Sequence, residues 1–212
     1  RDTLVVFMTD NGASGHSKVN HSPVDVFNAG MKGAKSSVEE GGTRVPSFWR
    51  WPGGFEGGVD VNRLASNTDF FPTVAELAGA KIPDDLKLDG RSLVPLLKNP
   101  KADWQDRFVF IHASNWGGEP SEHKIPGFAV RNDRFRLVGN KELFDVKADR
   151  GQTKNILEEN REIAGKMQSA YDTWWEEVLP PLEEKAGEIG DKPAKVKKIK
   201  KKGDKQKKGN EE

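Results

Sequence analysis

The stretch FMTDNGASGH, Phe7 to His16, decides how the rest of the chain is read. It closes an apolar, β-branched run that begins at Thr3 (TLVVFM) and breaks off abruptly into Thr-Asp-Asn-Gly. An unbroken run of this kind suits a strand buried on both faces, as in a parallel sheet covered by helices. Asn-Gly is also the strongest short hairpin signal. A hairpin needs a second alternating strand directly afterwards, and ASGHSKVNHS does not alternate. The other reading puts Asp10 and Asn11 at the carboxyl end of a buried strand, where open α/β sheets place their ligands. A carboxylate beside an amide oxygen offers two hard donors, which suit Ca2+ or Mg2+ rather than zinc.

Outward from this point the chain is polar and Gly-rich to about Gly42, longer than an idle loop in a compact domain. Within it lies GMKGAKSSVEEGGTRVP, Gly30 to Pro46. A lone lysine is ordinarily a solvated surface charge. Lys35, however, follows the Asp-Asn pair by some two dozen residues and precedes a second strand-like run, Arg44 to Trp51. A compact ammonium beside a divalent cation is what a tetrahedral oxyanion needs for charge neutralisation.

The remaining pattern divides in two. Asp69 to Ala78 reads as a helix, with Asn67, Thr68 or Asp69 as its cap, Pro72 in its first turn, and Gly79 just past its end. Phe70, Val74, Leu77 and Ala78 would form its apolar face. A shorter helix is expected from Ser92 to Leu97. After a linker, four strand-like runs follow at Arg107–His112, Gly127–Arg131, Phe135–Val138 and Glu142–Val146, an antiparallel meander. A helix from Glu158 to Leu179 would cover that sheet through Ile163, Met167, Ala170, Tyr171, Trp174 and Val178, with Pro180-Pro181 as its stop. The fold class expected is α/β. Residues 1–100 would be the later part of a mixed-sheet catalytic domain, 104–180 a small α+β subdomain, and 183–212 a disordered Lys-rich tail.

Composition sharpens the division. The net charge is +1 over 212 residues, but the segment from Lys192 to the C terminus carries ten lysines and three acids, leaving residues 1–191 at −6. The tail lacks aromatics to stack on bases, so specific nucleic-acid binding is not expected; a solubilising role, or nonspecific attraction to polyanions or a membrane surface, stays open. There is no cysteine, which excludes disulfides, thiolate metal sites and a cysteine nucleophile within these residues. No apolar run approaches the ~20 residues of a membrane helix. The chain begins with Arg1 and enters a strand almost at once, as expected of a piece of a longer chain. A periplasmic or secreted location is expected, and oligomeric state cannot be read.

Two motifs together carry a resemblance. Thr9-Asp10-Asn11-Gly12 at a strand end, followed by Gly33-Ala34-Lys35 and, four residues on, Glu40-Gly41-Gly42-Thr43-Arg44-Val45-Pro46, resembles the second half of a sulfatase of the alkaline-phosphatase superfamily. Asp69-Phe-Phe-Pro72-Thr73 and the segments GFAVRNDRFRLV and KELFDVKADRGQTKNI, read as a small C-terminal domain, are similar too. The resemblance implies a sulfuric ester hydrolase, arylsulfatase-like, with Asp10 and Asn11 as two ligands of one Ca2+ and Lys35 contacting the sulfate group. Glu40, Gly41, Gly42 and Arg44 match positions that look structural, with Arg44 anchoring the loop. The family's formylglycine arises in a Cys/Ser-x-Pro-x-Arg motif, which these residues lack. The nucleophile and the remaining metal ligands are therefore expected upstream, and the piece alone is expected to be inactive. The substrate would be a sulfated small molecule or carbohydrate. His112, at a strand end, could reach that substrate; His16 and His21, in the Gly- and Ser-rich loop, are weaker candidates. A phosphate or phosphonate ester hydrolase of the same superfamily, or a noncatalytic polyanion-binding module acting through the tail, are the alternatives.

Overall fold

The computed structural model describes residues 2–14, 27–112, 119–125 and 127–190. Strand β1 (Val5–Met8) pairs antiparallel with β2 (Ser47–Arg50), with Phe7 opposite Phe48 and Val6 opposite Trp49. Between them lies the loop that ends in the one-turn helix α1 (Glu40–Thr43). After β2 come α2 (Phe70–Leu77) and α3 (Val94–Lys98). Then β3 (Val109–His112), β4 (Phe128–Arg131), β5 (Phe135–Val138) and β6 (Glu142–Asp145) form one antiparallel sheet in sequential order. The long helix α4 (Arg161–Gly190) closes the described part. The α/β class and the four-stranded meander are as the sequence predicts.

Among the described residues, strand β1 is covered on one face only. Val5 is 53% exposed and Phe7 61%, and Phe48 beside them is 66% exposed. The apolar run is complete, but the described residues cover only the Val6–Met8 side.

The core lies between the four-stranded sheet and α4. Phe128, Val130, Leu137 and Leu143 from the sheet meet Ala164, Met167, Tyr171 and Trp175 from the helix. The helix residues recur at three- and four-residue spacing, the period that keeps one face turned to a partner. The stripe is rotated slightly from the expected one. Trp175 is buried at 3% exposure, whereas Trp174 packs at the margin and stacks on Phe110 at 5.1 Å between ring centres. Tyr171 stacks face to face on Phe128 at 3.8 Å and donates its hydroxyl to the Lys124 carbonyl at 2.6 Å. Burial therefore raises its pKa well above the usual phenol.

Helix α4 does not stop at Pro180-Pro181 but continues to Gly190. The expected disordered tail is thus helical over its first eight residues, 183–190, where Glu, Lys and Ala are good helix formers. Residues 191–212 lie outside the described part.

The Asp-x-x-Pro-Thr stretch proves to be a buried junction. Ser66, not one of the three residues expected, caps the turn before α2: its hydroxyl takes the Thr68 N–H, and the Asp69 carboxylate takes the Ser66 N–H at 2.8 Å. Asp69 is fully buried; its second oxygen accepts from the Arg91 N–H at 2.9 Å, and Arg107 pairs with it from the chain leading into β3. The Thr73 hydroxyl donates to the Asp69 carbonyl at 2.6 Å and accepts from the Leu93 N–H at 2.8 Å. The buried face of α2 is therefore Pro72, Thr73 and Ala75, whereas Phe70 of the expected stripe is 41% exposed. Hydrogen-bond demand at Asp69 and Thr73 outweighed apolar periodicity in choosing that face.

Candidate active site

The end of β1 and the lysine loop are joined through backbone. The Gly12 N–H donates to the Gly42 carbonyl at 2.9 Å, and the Lys35 N–H donates to the Ala13 carbonyl at 2.9 Å. Lys35 therefore leaves the chain two residues beyond the register of Asn11. The approach at Gly12 is so close that a Cβ there would overlap the Gly41 carbonyl oxygen. Gly41 in turn donates its N–H to the Lys32 carbonyl at 2.7 Å, with no room for a Cβ against the Gly33 carbonyl. The glycines of both motifs thus serve one contact, the close approach of two backbones.

Asp10 is exposed and Asn11 half-buried at the strand end, and the Thr9 hydroxyl donates to the Asn11 carbonyl at 3.1 Å. This is not a hairpin, since β1 pairs with β2 some forty residues on. In kind the two side chains fit a calcium ion, as one carboxylate and one amide oxygen. They supply two of the roughly six to eight oxygens such an ion takes. Among the described residues no group of three or more His, Cys, Asp and Glu side chains converges as a metal site. Lys35 is exposed, on a loop shaped by left-handed backbone at Gly33 (φ 82°) and Ser36 (φ 74°). The Ser37 hydroxyl accepts from the Ala34 N–H at 3.2 Å and ties down the turn that carries the lysine.

The loop is anchored from the other side by residues that the sequence reading missed. Glu40 is 1% exposed, and one of its carboxylate oxygens accepts from Arg131 Nε and Arg136 Nε, both at 2.9 Å. Arg136 also donates to the Val38 carbonyl, and to the Thr43 hydroxyl at 3.0 Å. The Gln152 side-chain oxygen accepts the Glu40 N–H at 2.8 Å. Burial alone would raise the Glu40 pKa; the two guanidiniums outweigh it and hold the carboxyl below its usual range. Arg44, the expected anchor, is half exposed and stands 3.6 Å from the other Glu40 oxygen. The anchors are Arg131 and Arg136, on adjacent strands of the small sheet. The signal was present in FAVRNDRFRLV: arginines set into apolar strands require a buried acid.

His112 ends β3 half-buried. Its ring stacks on Trp175 at 5.3 Å, and Nε2 lies 2.8 Å from the His123 carbonyl. Burial lowers its pKa, with the His123 carbonyl bond opposing. These are the contacts of a packed ring. His16 and His21 lie outside the described residues.

The strand end that bears Asp10 and Asn11, the lysine loop bonded to the residues just after it and the small antiparallel sheet behind that loop make one connected unit. Residues 34–174 match the family model described as "N-sulphoglucosamine sulphohydrolase, C-terminal", and the chain belongs to the sulfatase family. Human steryl-sulfatase is 40% identical over 150 residues, which cover 68% of this chain and 26% of that protein. The uncharacterized sulfatase YdeN of Escherichia coli (strain K12) is 30% identical over 214 residues, covering 86% of this chain and 37% of that protein. Among solved structures, that of Ps i-CgsB superimposes with a TM-score of 0.62 at 26% identity, over 81% of this chain and 36% of that one. A second structure of Ps i-CgsB, in complex with k-i-k-neocarrahexaose, gives 0.61. The chain thus spans little more than a third of the length of such relatives, or less.

Proposed function

We propose that this chain provides one side of the active site of a calcium-dependent sulfuric ester hydrolase. Asp10 and Asn11 would contribute two oxygen ligands to the ion, and Lys35 would neutralise charge on the sulfate. The observation that carries this reading is the Lys35-to-Ala13 backbone bond, which fixes the lysine loop against the strand end that bears the acid and the amide. Calcium, when bound, supplies Lewis-acid polarisation of oxygen at sulfur. The chain's own residues supply three things. Asp10 and Asn11 would offer one carboxylate and one amide oxygen from the strand end. Lys35, on the loop bonded to that strand end at Ala13, would bring positive charge to where negative charge grows on the leaving or sulfuryl oxygens. The close-packed glycines keep the two parts in register. The nucleophile is not among these residues.

The substrate class is a sulfate ester of a small molecule or a carbohydrate. Support comes from both directions: one relative is named for steryl sulfate, and one similar structure holds a neocarrahexaose. His112 is left outside the reaction, as support for the segment 119–123. In the enzyme containing these residues, Lys35→Ala should lower kcat on aryl sulfate by on the order of 10²-fold. A wild-type rate would remove Lys35 from the site.

A further inference from the structure

We infer that the buried Glu40–Arg131–Arg136 cluster, together with Gln152, is the positioning device of the Lys35 loop, so that the small C-terminal sheet sets where the lysine stands. This rests on the function proposed above.

The geometry is specific to that task. Every bond of the cluster runs between the loop and the sheet or the turn that follows it. Arg131 and Arg136 face each other across the β4–β5 ladder, opposed in register, and both reach the same Glu40 oxygen. Arg136 goes further and gathers three points of the loop end, Val38, Glu40 and Thr43. Gln152 comes from the turn after β6. Its backbone is left-handed (φ 51°), an uncommon state for a residue with a side chain. It is 3% exposed, and its amide oxygen holds the Glu40 N–H at the start of α1. Holding a non-glycine residue in that conformation costs stability, and the bond to Glu40 is what it achieves. Gly41 and Gly42, directly after Glu40, contact Gly12 and the lysine turn. A shift at Glu40 is therefore passed through two residues of rigid backbone to both Asp10–Asn11 and Lys35.

The lysine is exposed, and its turn is held by the Ser37 hydroxyl and short backbone bonds. The start of the loop is held by the Asn28 amide on the Met31 and Gly33 carbonyls and by Lys32 beside Glu142, and its far end by the Glu40 cluster. Electrostatic stabilisation depends on donors fixed before the reaction, and displacement by about 1 Å is enough to lose much of it.

Gln152→Leu is the test, because it keeps shape and leaves the ion cluster paired, whereas Glu40→Ala would strand two buried guanidiniums. Amide hydrogen exchange on the full-length enzyme is the first measurement. Exchange across residues 33–44 should rise about tenfold, the usual effect of losing one buried hydrogen bond, while β4 and β5 stay protected. Increased exchange confined to 149–155 would overturn the inference, since Gln152 would then serve only its own turn. The second measurement is a kinetic cycle. Gln152→Leu should lower kcat about tenfold with KM little changed, and Gln152→Glu, which retains the accepting oxygen, should restore most of it. In a Lys35→Ala background Gln152→Leu should cost much less than tenfold, the remainder being what reaches Asp10 and Asn11 through Gly12. The same tenfold loss in both backgrounds would overturn the positioning role even though Lys35 matters. A Lys35→Ala enzyme at wild-type rate would instead overturn the function on which it rests.

Discussion

The Gly12 N–H and the Gly42 carbonyl meet at 2.9 Å across thirty residues of sequence, in a space that admits no Cβ at position 12. Gly12→Ala should therefore force the two backbones apart. Because the obstructing atom belongs to a peptide group, relief by side-chain movement is excluded, and a destabilisation of about 2–3 kcal/mol is expected by chemical denaturation. A change under ~0.5 kcal/mol would show that the contact is not tight.

The proposed calcium role of Asp10 can be tested without turnover. A bound ion stabilises the folded form by mass action, so under that proposal the melting temperature of the full-length protein should rise with calcium and fall with a chelator. Asp10→Ala should flatten that dependence, and Asn11→Ala should weaken it less, since a neutral oxygen contributes less than a carboxylate. An unchanged calcium response in Asp10→Ala would place the ion elsewhere.

Thr73→Val keeps shape and removes one hydroxyl. The Leu93 N–H then loses its acceptor in a buried place, at a cost of about 2 kcal/mol. Serine at the same position should recover most of it. If valine matches threonine in stability, the junction at Asp69 does not depend on this bond.

Two titrating groups make the fold sensitive to acid in different pH ranges. Glu40 has a folded pKa below its usual 4.5, so its contribution is fully present above that value and is lost as pH falls below it. Glu40→Gln should be less stable than wild type near neutrality, and the gap should shrink below pH 4.5. His112 has a folded pKa below its usual 6.5, so the unfolded chain takes the proton first and stability falls as pH drops through 6.5. His112→Phe retains an aromatic ring against Trp175, and its stability relative to wild type should improve between pH 7.5 and 5.5. A pH-independent difference in either variant would contradict the corresponding shift.

The legible parts of this fold were those that a local pattern determines. Short strand-like runs parted by polar turns at 131–133 and 139–141 made the meander legible, and at the first of these Asn132 bonds its own neighbours, accepting the N–H groups of Arg134 and Phe135. The Asp-Asn-Gly and Gly-Gly motifs marked the backbone contact on which the proposed site is built. What escaped was decided at a distance. The face of α2 followed from Asp69 and Thr73 meeting Arg91 and Leu93, which no window of eleven residues contains. The anchor of the lysine loop lay more than ninety residues beyond it, in Arg131 and Arg136. The nearby Arg44 looked the better partner only because sequence proximity was the one guide to pairing. The helix end at Pro180-Pro181 was misplaced for a related reason: the breaker was weighed, and the helix-forming residues after it were not.

The ribbon of β1 and β2 carries a practical consequence. Val5, Phe7 and Phe48 form an oily face open to water, and two strands hold together poorly unless that face is covered. The 212-residue polypeptide kept by itself in buffer should bind fluorescent apolar dyes and self-associate as its concentration rises. Phe7→Ser with Phe48→Thr should suppress both while leaving the spectroscopic signature of the α4 tryptophans intact.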